Sequence, residues 1–382
     1  MAAASPSLSQ NEMTESHFDL VDALVQHLTK STSVKILDGY DSDTDDEDAG
    51  SQIDILDEDE YTETGTSSAP TEAHPGSLEE HSDLRTYILK HLIAILHGSN
   101  HIERAGSTRA LTAQIATPIF QGITTPSYPT FQHDLTAALL ASPAQLSAHS
   151  ISPDHPIPSH LLFQSYHEIT SPAHALVHFI RTFSLSQAPL TESLILNTQR
   201  ILTSNVPASD GTPSLSYGGT CRTCRIFAGF TEFPAPEQVP RRMASLVTEI
   251  HAHITTCEPS SGSKSDSKED GELDPIDLAA RLSHCFVNIH PFLDGNGRMT
   301  RILLNGVSMR YGLLGAVLGG TEWERERYLA VAVRGSDKEE AWQGMDEEET
   351  RFAEEPWGEL GELVGRSVKT MMRKWRLASG GR

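Results

Sequence analysis

Residues 286–305, FVNIHPFLDGNGRMTRILLN, constrain the architecture of this chain more than any other stretch. An apolar helical segment delivers His290 into a corner broken by Pro291. The run Asp294-Gly295-Asn296-Gly297 turns the chain, and a second helix opens with Arg298. Glycines at 295 and 297 carry no Cβ, so backbone N–H groups there approach an anion closely. The helix N-terminus behind them adds free N–H groups and the positive end of its dipole. Arg298 and Arg301 lie three apart and share a face, where their planar forks suit phosphate oxygens. Asp294 offers a hard carboxylate beside this cradle, where a Mg²⁺ bound to phosphates belongs. His290 is the nearby side chain able to accept a proton at neutral pH. The set points to phosphoryl or nucleotidyl transfer to a hydroxyl, with His290 as general base and the N–H cradle and arginines stabilising charge. The GxxxxGK[ST] loop is absent, and spacing alone leaves open which phosphate of a Mg-nucleotide is attacked.

Around this corner the pattern is helical. Leu84, Ile88, Leu92 and Ile95 recur at helical spacing, as do Phe18, Val21, Leu24, Val25 and Leu28, which predict an amphipathic helix over 14–29. That helix docks on the main domain or on a partner. Further helices are expected around 133–148, 173–185, 190–203, 240–256, 275–289 and 297–311, with a basic amphipathic stretch near 365–376; Pro-rich breaks separate several of them. Residues 205–220 read as a loop, and CRTCRIFAGFTEF after them as a hairpin or flap. The expected fold is mainly α with one small β-hairpin. Its parts are an acidic leader over 1–80, a helical region over 81–204, a catalytic domain over 205–345 and a helical tail over 346–382.

Charge is uneven across these parts. The chain carries 29 Lys+Arg against 52 Asp+Glu, a net charge of −23, and Asp38–Glu63 holds thirteen of the acidic residues and no basic one. Self-repulsion and low apolar content predict disorder there and through the Ser/Thr/Pro-rich continuation to about residue 80. The insertion EPSSGSKSDSKEDGELDP (258–275) is expected to be a flexible loop. A balance this acidic argues against a general nucleic-acid binder, and no run approaches the ~20 apolar residues of a membrane span. Four cysteines and an N-terminus without a basic and apolar signal predict a soluble chain of the cytoplasm or nucleus.

The segment 290–301 resembles the signature of the Fic family, His-x-Phe-x-[Asp/Glu]-Gly-Asn-Gly-Arg-x-x-Arg, and all eight specified positions match: His290, Phe292, Asp294, Gly295, Asn296, Gly297, Arg298 and Arg301. The resemblance implies a mostly helical protein adenylyltransferase that moves AMP from ATP to a Ser, Thr or Tyr hydroxyl of a target protein. It implies His290 as the base and Asp294 as the ligand of Mg²⁺ (or Mn²⁺). Gly295, Asn296 and Gly297 would cradle the α- and β-phosphates, and Arg298 and Arg301 would orient the β- and γ-phosphates. Phe292 reads as a core anchor. Asn305 resembles the residue near the adenosine, and Tyr328 an aromatic beside the nucleotide. Transfer of UMP, GMP or phosphocholine through the same motif is an alternative within enzymes. A silent nucleotide-binding regulator is an alternative outside them.

Two outlying segments extend the likeness. Residues 221–243 resemble the family's flap, which aligns a target protein by strand addition; the flap itself would be 221–234, with Ala228, Gly229, Phe230 and Thr231 bordering the nucleotide. Cys221 stands where Tyr is usual. HGSNHIERAGSTRALT (97–112) resembles the inhibitory helix that precedes some of these domains. There Ser99 and Glu103 match, and Glu103 pairs with Arg301 to withhold it from the γ-phosphate. Some relatives with this glutamate also remove AMP. Arg104 stands where Gly or Asn is usual, and a bulky cation there is expected to loosen the inhibitory helix or add a phosphate contact. The Cys221-x-x-Cys224 pair lacks a second pair for zinc, and His284 reads as packing.

Overall fold

The computed structural model describes residues 18–31, 75–148, 151–152, 155–228, 231–257, 274–350 and 353–379. The acidic run, its continuation to residue 74, most of the 258–275 insertion, and Gly229 and Phe230 of the flap lie outside them.

The described chain is helical: α1 (Leu20–Lys30), α2 (Pro75–Ile102), α3 (Arg109–Phe120), α4 (Tyr128–Leu140), α5 (Pro143–Ala148), α6 (Ser159–Phe179), α7 (Glu192–Leu202), α8 (Ser214–Tyr217), α9 (Val239–Cys257), α10 (Pro275–Ile289), α11 (Asn296–Arg310), α12 (Glu322–Gln343), α13 (Glu347–Thr350) and α14 (Gly358–Ala378). Two short antiparallel strands, β1 (Phe227–Ala228) and β2 (Thr231–Glu232), pair Phe227 with Glu232 and Ala228 with Thr231.

Helix α11 is the centre of the molecule. Every residue in it except Gly297 is buried, which marks a helix covered on all sides rather than a surface helix. Helix α10 packs closely along it; α6, α2 and the single π-helical turn Ile180–Leu185 cover other faces. Arg310, at the end of α11, closes that turn by donating to the carbonyls of Phe183 (2.8 Å) and Ala188 (2.9 Å). The α10 start is written in its sequence. Asp274 caps it by accepting from the N–H of Ile276 at 2.8 Å, and Pro275 occupies the first helical position, where no N–H is needed.

Helix α1 docks on the body of the chain. Leu20, Val21, Leu24, Val25 and Leu28 are all buried against α2 and the π turn, with Asp19 and Arg85 joined at 2.9 Å across the seam. Elsewhere the helix bounds differ from the expected ones. The stretch expected at 173–185 begins at Ser159 and runs straight through Pro172. Proline removes the hydrogen bond to residue i−4, and here the freed Glu168 carbonyl accepts instead from Asn100 Nδ2 of α2 at 2.7 Å. Helix α2 opens at Pro75 rather than near Leu84, the 205–220 loop contains the one-turn α8, and residues 141–142 break the expected 133–148 helix in two. His284 is more than packing: its Nε2 lies 2.7 Å from the Glu339 carboxylate.

Candidate active site

The corner between α10 and α11 is built by hydrogen bonds of its own side chains. His290 caps α10 in the left-handed region (φ 50°), and Gly295 starts α11 at φ 81°; a non-glycine residue at positive φ is uncommon and is tolerated where the surroundings over-determine it. Asn296 staples the turn: its Oδ1 accepts from Phe292 N–H (3.0 Å) and its Nδ2 donates to Phe292 O (2.8 Å). Its side chain is therefore committed to the loop, which leaves only its backbone for an anion. Phe292 is fully buried against Phe286.

His290 Nδ1 lies 3.1 Å from the Val287 carbonyl. A carbonyl only accepts, so Nδ1 carries the proton and Nε2 keeps a free lone pair. Phe233, at the end of the flap, stacks on the ring with centroids 3.8 Å apart and planes 15° apart. Burial pushes the imidazole down to about 4, so at neutral pH it is an uncharged base.

The arginines stand behind the turn. Arg298 is buried, and its Nε and Nη1 have no hydrogen-bond partner; unpaired buried donors on a cation mark a place for an anion. Arg301 is also buried, and two of its nitrogens are engaged. Its Nε donates to Ser99 Oγ (2.9 Å), and its Nη2 donates to Ser99 O (2.9 Å) and to Glu103 Oε1 (2.6 Å). The Glu103 carboxylate also lies over Gly297: a Cβ at 297 would overlap its oxygen. Desolvation acts to raise the Glu103 carboxyl, but Arg301, with Arg298 and His290 adding to it, holds the group below its ordinary value. A carboxylate thus rests against the α11 N-terminus and the second arginine together.

Other expected residues lie close by. Asn305 is buried with an unpaired Oδ1 and lines a small hollow, partly open to solvent, with Ser99, Arg298 and Arg301. Tyr328 is buried, with the Arg301 guanidinium 5.6 Å from its ring centroid. Ala228 is exposed and Thr231 half-buried on the flap. Asp294 Oδ1 accepts from Gly295 N–H and stands 3.9 Å from Arg298 Nη2. Among the described residues no group of three or more His, Cys, Asp or Glu forms a metal cage. A divalent cation at Asp294 would share its shell with phosphate oxygens and water.

Two expectations change. Arg104 reaches neither the cradle nor a phosphate position; its Nη2 pairs with Glu322 at 2.5 Å and ties the end of α2 to α12. Cys221 and Cys224 precede the strands rather than lying on one, and both are free thiols.

Three contributors escape a reading of motifs. Arg222 is buried and holds the flap to the corner: its Nε donates to His290 O at 2.7 Å and its Nη1 to Cys224 O at 2.8 Å, while its own N–H donates to Pro291 O at 2.8 Å. Gln199 of α7 donates to Asp294 O at 3.1 Å and accepts from Gly219 N–H. Phe233 covers the histidine. Arg222 left little signal in the sequence, since Arg225 three residues on looks the same there but pairs with Glu232 on the exposed face of the flap.

Residues 189–307 match the sequence model of the Fic/DOC family. Over 94 residues the chain is 39% identical to a Fido domain-containing protein of Dictyostelium discoideum, covering 25% of this chain and 56% of that protein. Over 115 residues it is 32% identical to protein adenylyltransferase fic-1 of Caenorhabditis briggsae, covering 30% of this chain and 20% of that one. The chain thus spans about half the length of the first relative and a fifth of the second. Its fold is similar to that of a Fic domain containing signaling protein from Bacteroides thetaiotaomicron, with TM-score 0.52 and 20% identity over 79% of this chain and 91% of that one.

Proposed function

We propose that this chain, whose residues 189–307 match the Fic/DOC family, is a Fic-type protein adenylyltransferase held in check by Glu103. The observation that carries the reading is the Glu103 carboxylate, seated on Gly297 and bonded to Arg301 Nη2 at 2.6 Å. It occupies an anion site and engages an arginine that a nucleotide phosphate would need.

In the proposed reaction a Ser, Thr or Tyr hydroxyl of a target protein attacks the α-phosphorus of ATP. The new O–P bond forms as the bond from that phosphorus to the bridging oxygen breaks, and pyrophosphate leaves. The hydroxyl proton passes to His290 Nε2, whose lone pair is kept free by the Nδ1–Val287 contact. The N–H groups of Gly295, Asn296 and Gly297, with the open donors of Arg298, take the charge of the phosphates. When bound through Asp294, Mg²⁺ supplies charge neutralisation on the phosphate oxygens. Asn305 and Tyr328 line the nucleotide side. The flap, with Phe227 of β1 exposed, presents its edge to the target backbone. The free thiols of Cys221, Cys224 and Cys285 suit a reducing compartment, cytoplasmic or nuclear.

For nucleotide to bind productively, Glu103 must leave Arg301. Incubation with α-labelled ATP and Mg²⁺ tests both halves of the reading through AMP attached to the protein itself. Glu103→Gly should label strongly, wild type weakly, and Glu103→Gly/His290→Ala should not label. Absence of label in all three would remove the transfer reaction. Equal labelling of wild type and Glu103→Gly would remove the brake. Incubation of Glu103→Gly with a pre-labelled target asks whether the same site also removes AMP.

A further inference from the structure

The turn bearing Glu103 is clamped from two sides, and the clamps differ in kind. On the α6 side they are buried. Asn100 Nδ2 donates to Glu168 O at 2.7 Å, Gly106 N–H donates to Glu168 Oε2 at 2.7 Å, and Ser165 Oγ donates to Gly106 O at 2.6 Å. These bonds pin residues 100 and 106, the two ends of the turn; of the span 101–105 between them Ile102 is buried, so movement falls to His101, Glu103 and Arg104.

On the α12 side the contacts converge on one carboxylate. Glu322 Oε1 accepts from Arg104 Nη2 at 2.5 Å and lies 3.3 Å from Arg325 Nη1, while His101 Nε2 stands 3.7 Å from Oε2. Arg325 Nε also donates to Ile102 O at 3.0 Å, and His101 Nδ1 lies 2.8 Å from Gly319 O. Every one of these partners belongs to the movable span or to the α12 corner facing it. Glu322 itself is anchored at the first position of α12, whose capping box joins Thr321 and Glu324 reciprocally.

Arg104 sits at φ 58°, a backbone state that glycine adopts freely and arginine does not. It therefore gains nothing locally from being arginine; its gain is the reach of its side chain to Glu322. We propose that Glu322 is a positioning residue that sets how firmly Glu103 stays on Arg301, acting through Arg104 and His101. This rests on the reading of Glu103 as a brake. A release of Glu103 that moves its turn would carry Arg104 away from Glu322. Breaking the buried α6 clamp would leave donors and acceptors unpaired. The Glu322 side chain is 45% exposed, so its pairs are individually weak and exchangeable with water. The α12 clamp is thus the part that yields, and it sets the population of released Glu103.

Two substitutions test this in the full chain. Glu322→Gln removes the charge at nearly constant shape, and Arg104→Gly removes the cation while giving the positive-φ position a residue that tolerates it, so loss of fold does not confuse the result. Each should raise both the affinity for Mg-ATP, measured by calorimetry, and AMP self-labelling by about three- to tenfold over wild type. Combined, they should do no more than either alone, because both break one contact. In a Glu103→Gly background neither should change either readout, whereas a merely structural role of Glu322 would shift them there as well. The proposal is overturned if both single variants bind Mg-ATP as wild type does, or if they alter binding equally with and without Glu103. Failure of the transfer reading has a different signature: Mg-ATP affinity rises in Glu103→Gly and in both clamp variants, yet no AMP becomes attached.

Discussion

At residue scale the site is governed by two positions where one atom decides the outcome. At 297 the missing Cβ lets the Glu103 oxygen touch the helix start. Gly297→Ala therefore displaces Glu103, but its methyl enters the cradle where phosphates would lie. Unlike Glu103→Gly, it should not release activity, and in the Glu103→Gly background it should cut self-labelling by about tenfold or more, because a small misplacement of reacting groups is costly. At His290 the decisive atom is Nε2. Burial holds the ring down to about 4, with Arg222 pushing the same way and the Val287 contact and Glu103 opposing. Removing Glu103 takes away one opposing influence, so the ring of Glu103→Gly should stay neutral to still lower pH. Self-labelling of that variant should hold level through neutral pH and decline only as pH falls toward about 4. An acid limb centred near 6.5 would mean that the imidazole is solvated and that burial does not tune it.

At the scale of elements, legibility follows the range of the forces involved. The α10–α11 corner could be read because its determinants are local: an acidic cap, a proline at the first helical position, a helical period, then two glycines where the chain turns. Docking of α1 was half legible. The apolar stripe was plain, but the surface it covers lies far away in sequence. Leu24 is 1% exposed, so Leu24→Ala should destabilise the fold by about 3 kcal/mol, read as a lower urea midpoint; an unchanged midpoint would show that α1 docks without contributing. Helix α6 was misread at Pro172 because its compensation, Asn100 Nδ2 on the Glu168 carbonyl, comes from 68 residues away. The same applies to Arg222 and Gln199. Each works by ligating backbone carbonyls of the corner from another element, and such bonds leave no periodic trace. Arg104 was visible as a departure, but its partner Glu322 lies 218 residues on, and without that partner its direction could not be deduced.

Across the whole molecule, the figure of −23 says little about the site. The acidic run lies outside the described residues, while Arg222, Arg298 and Arg301 are buried around the corner. What the interior does impose is a dependence on acid. His91 is fully buried, and burial pushes it down to about 4; His97, near His101 and Arg109, and His290 are pushed down to about 4 as well, with burial the leading cause for each. Between about 4 and the ordinary 6.5, each binds more protons when the chain is unfolded than when it is folded. Unfolding therefore takes up protons in that window, and stability falls as pH drops through it. For His91, a fall from 6.5 to about 4 corresponds to about 3 kcal/mol by the acid end of the window. Glu103, held below its ordinary value, adds to the loss as the pH falls further. Asp277 and Glu355, raised by burial, act in the opposite sense. Urea midpoints should stay level above pH 7 and decline steadily from about 6.5 toward 4. His91→Leu should flatten part of that slope while leaving the self-labelling of Glu103→Gly in place, because His91 lies outside the site. A slope unchanged by His91→Leu would place the acid sensitivity in other groups.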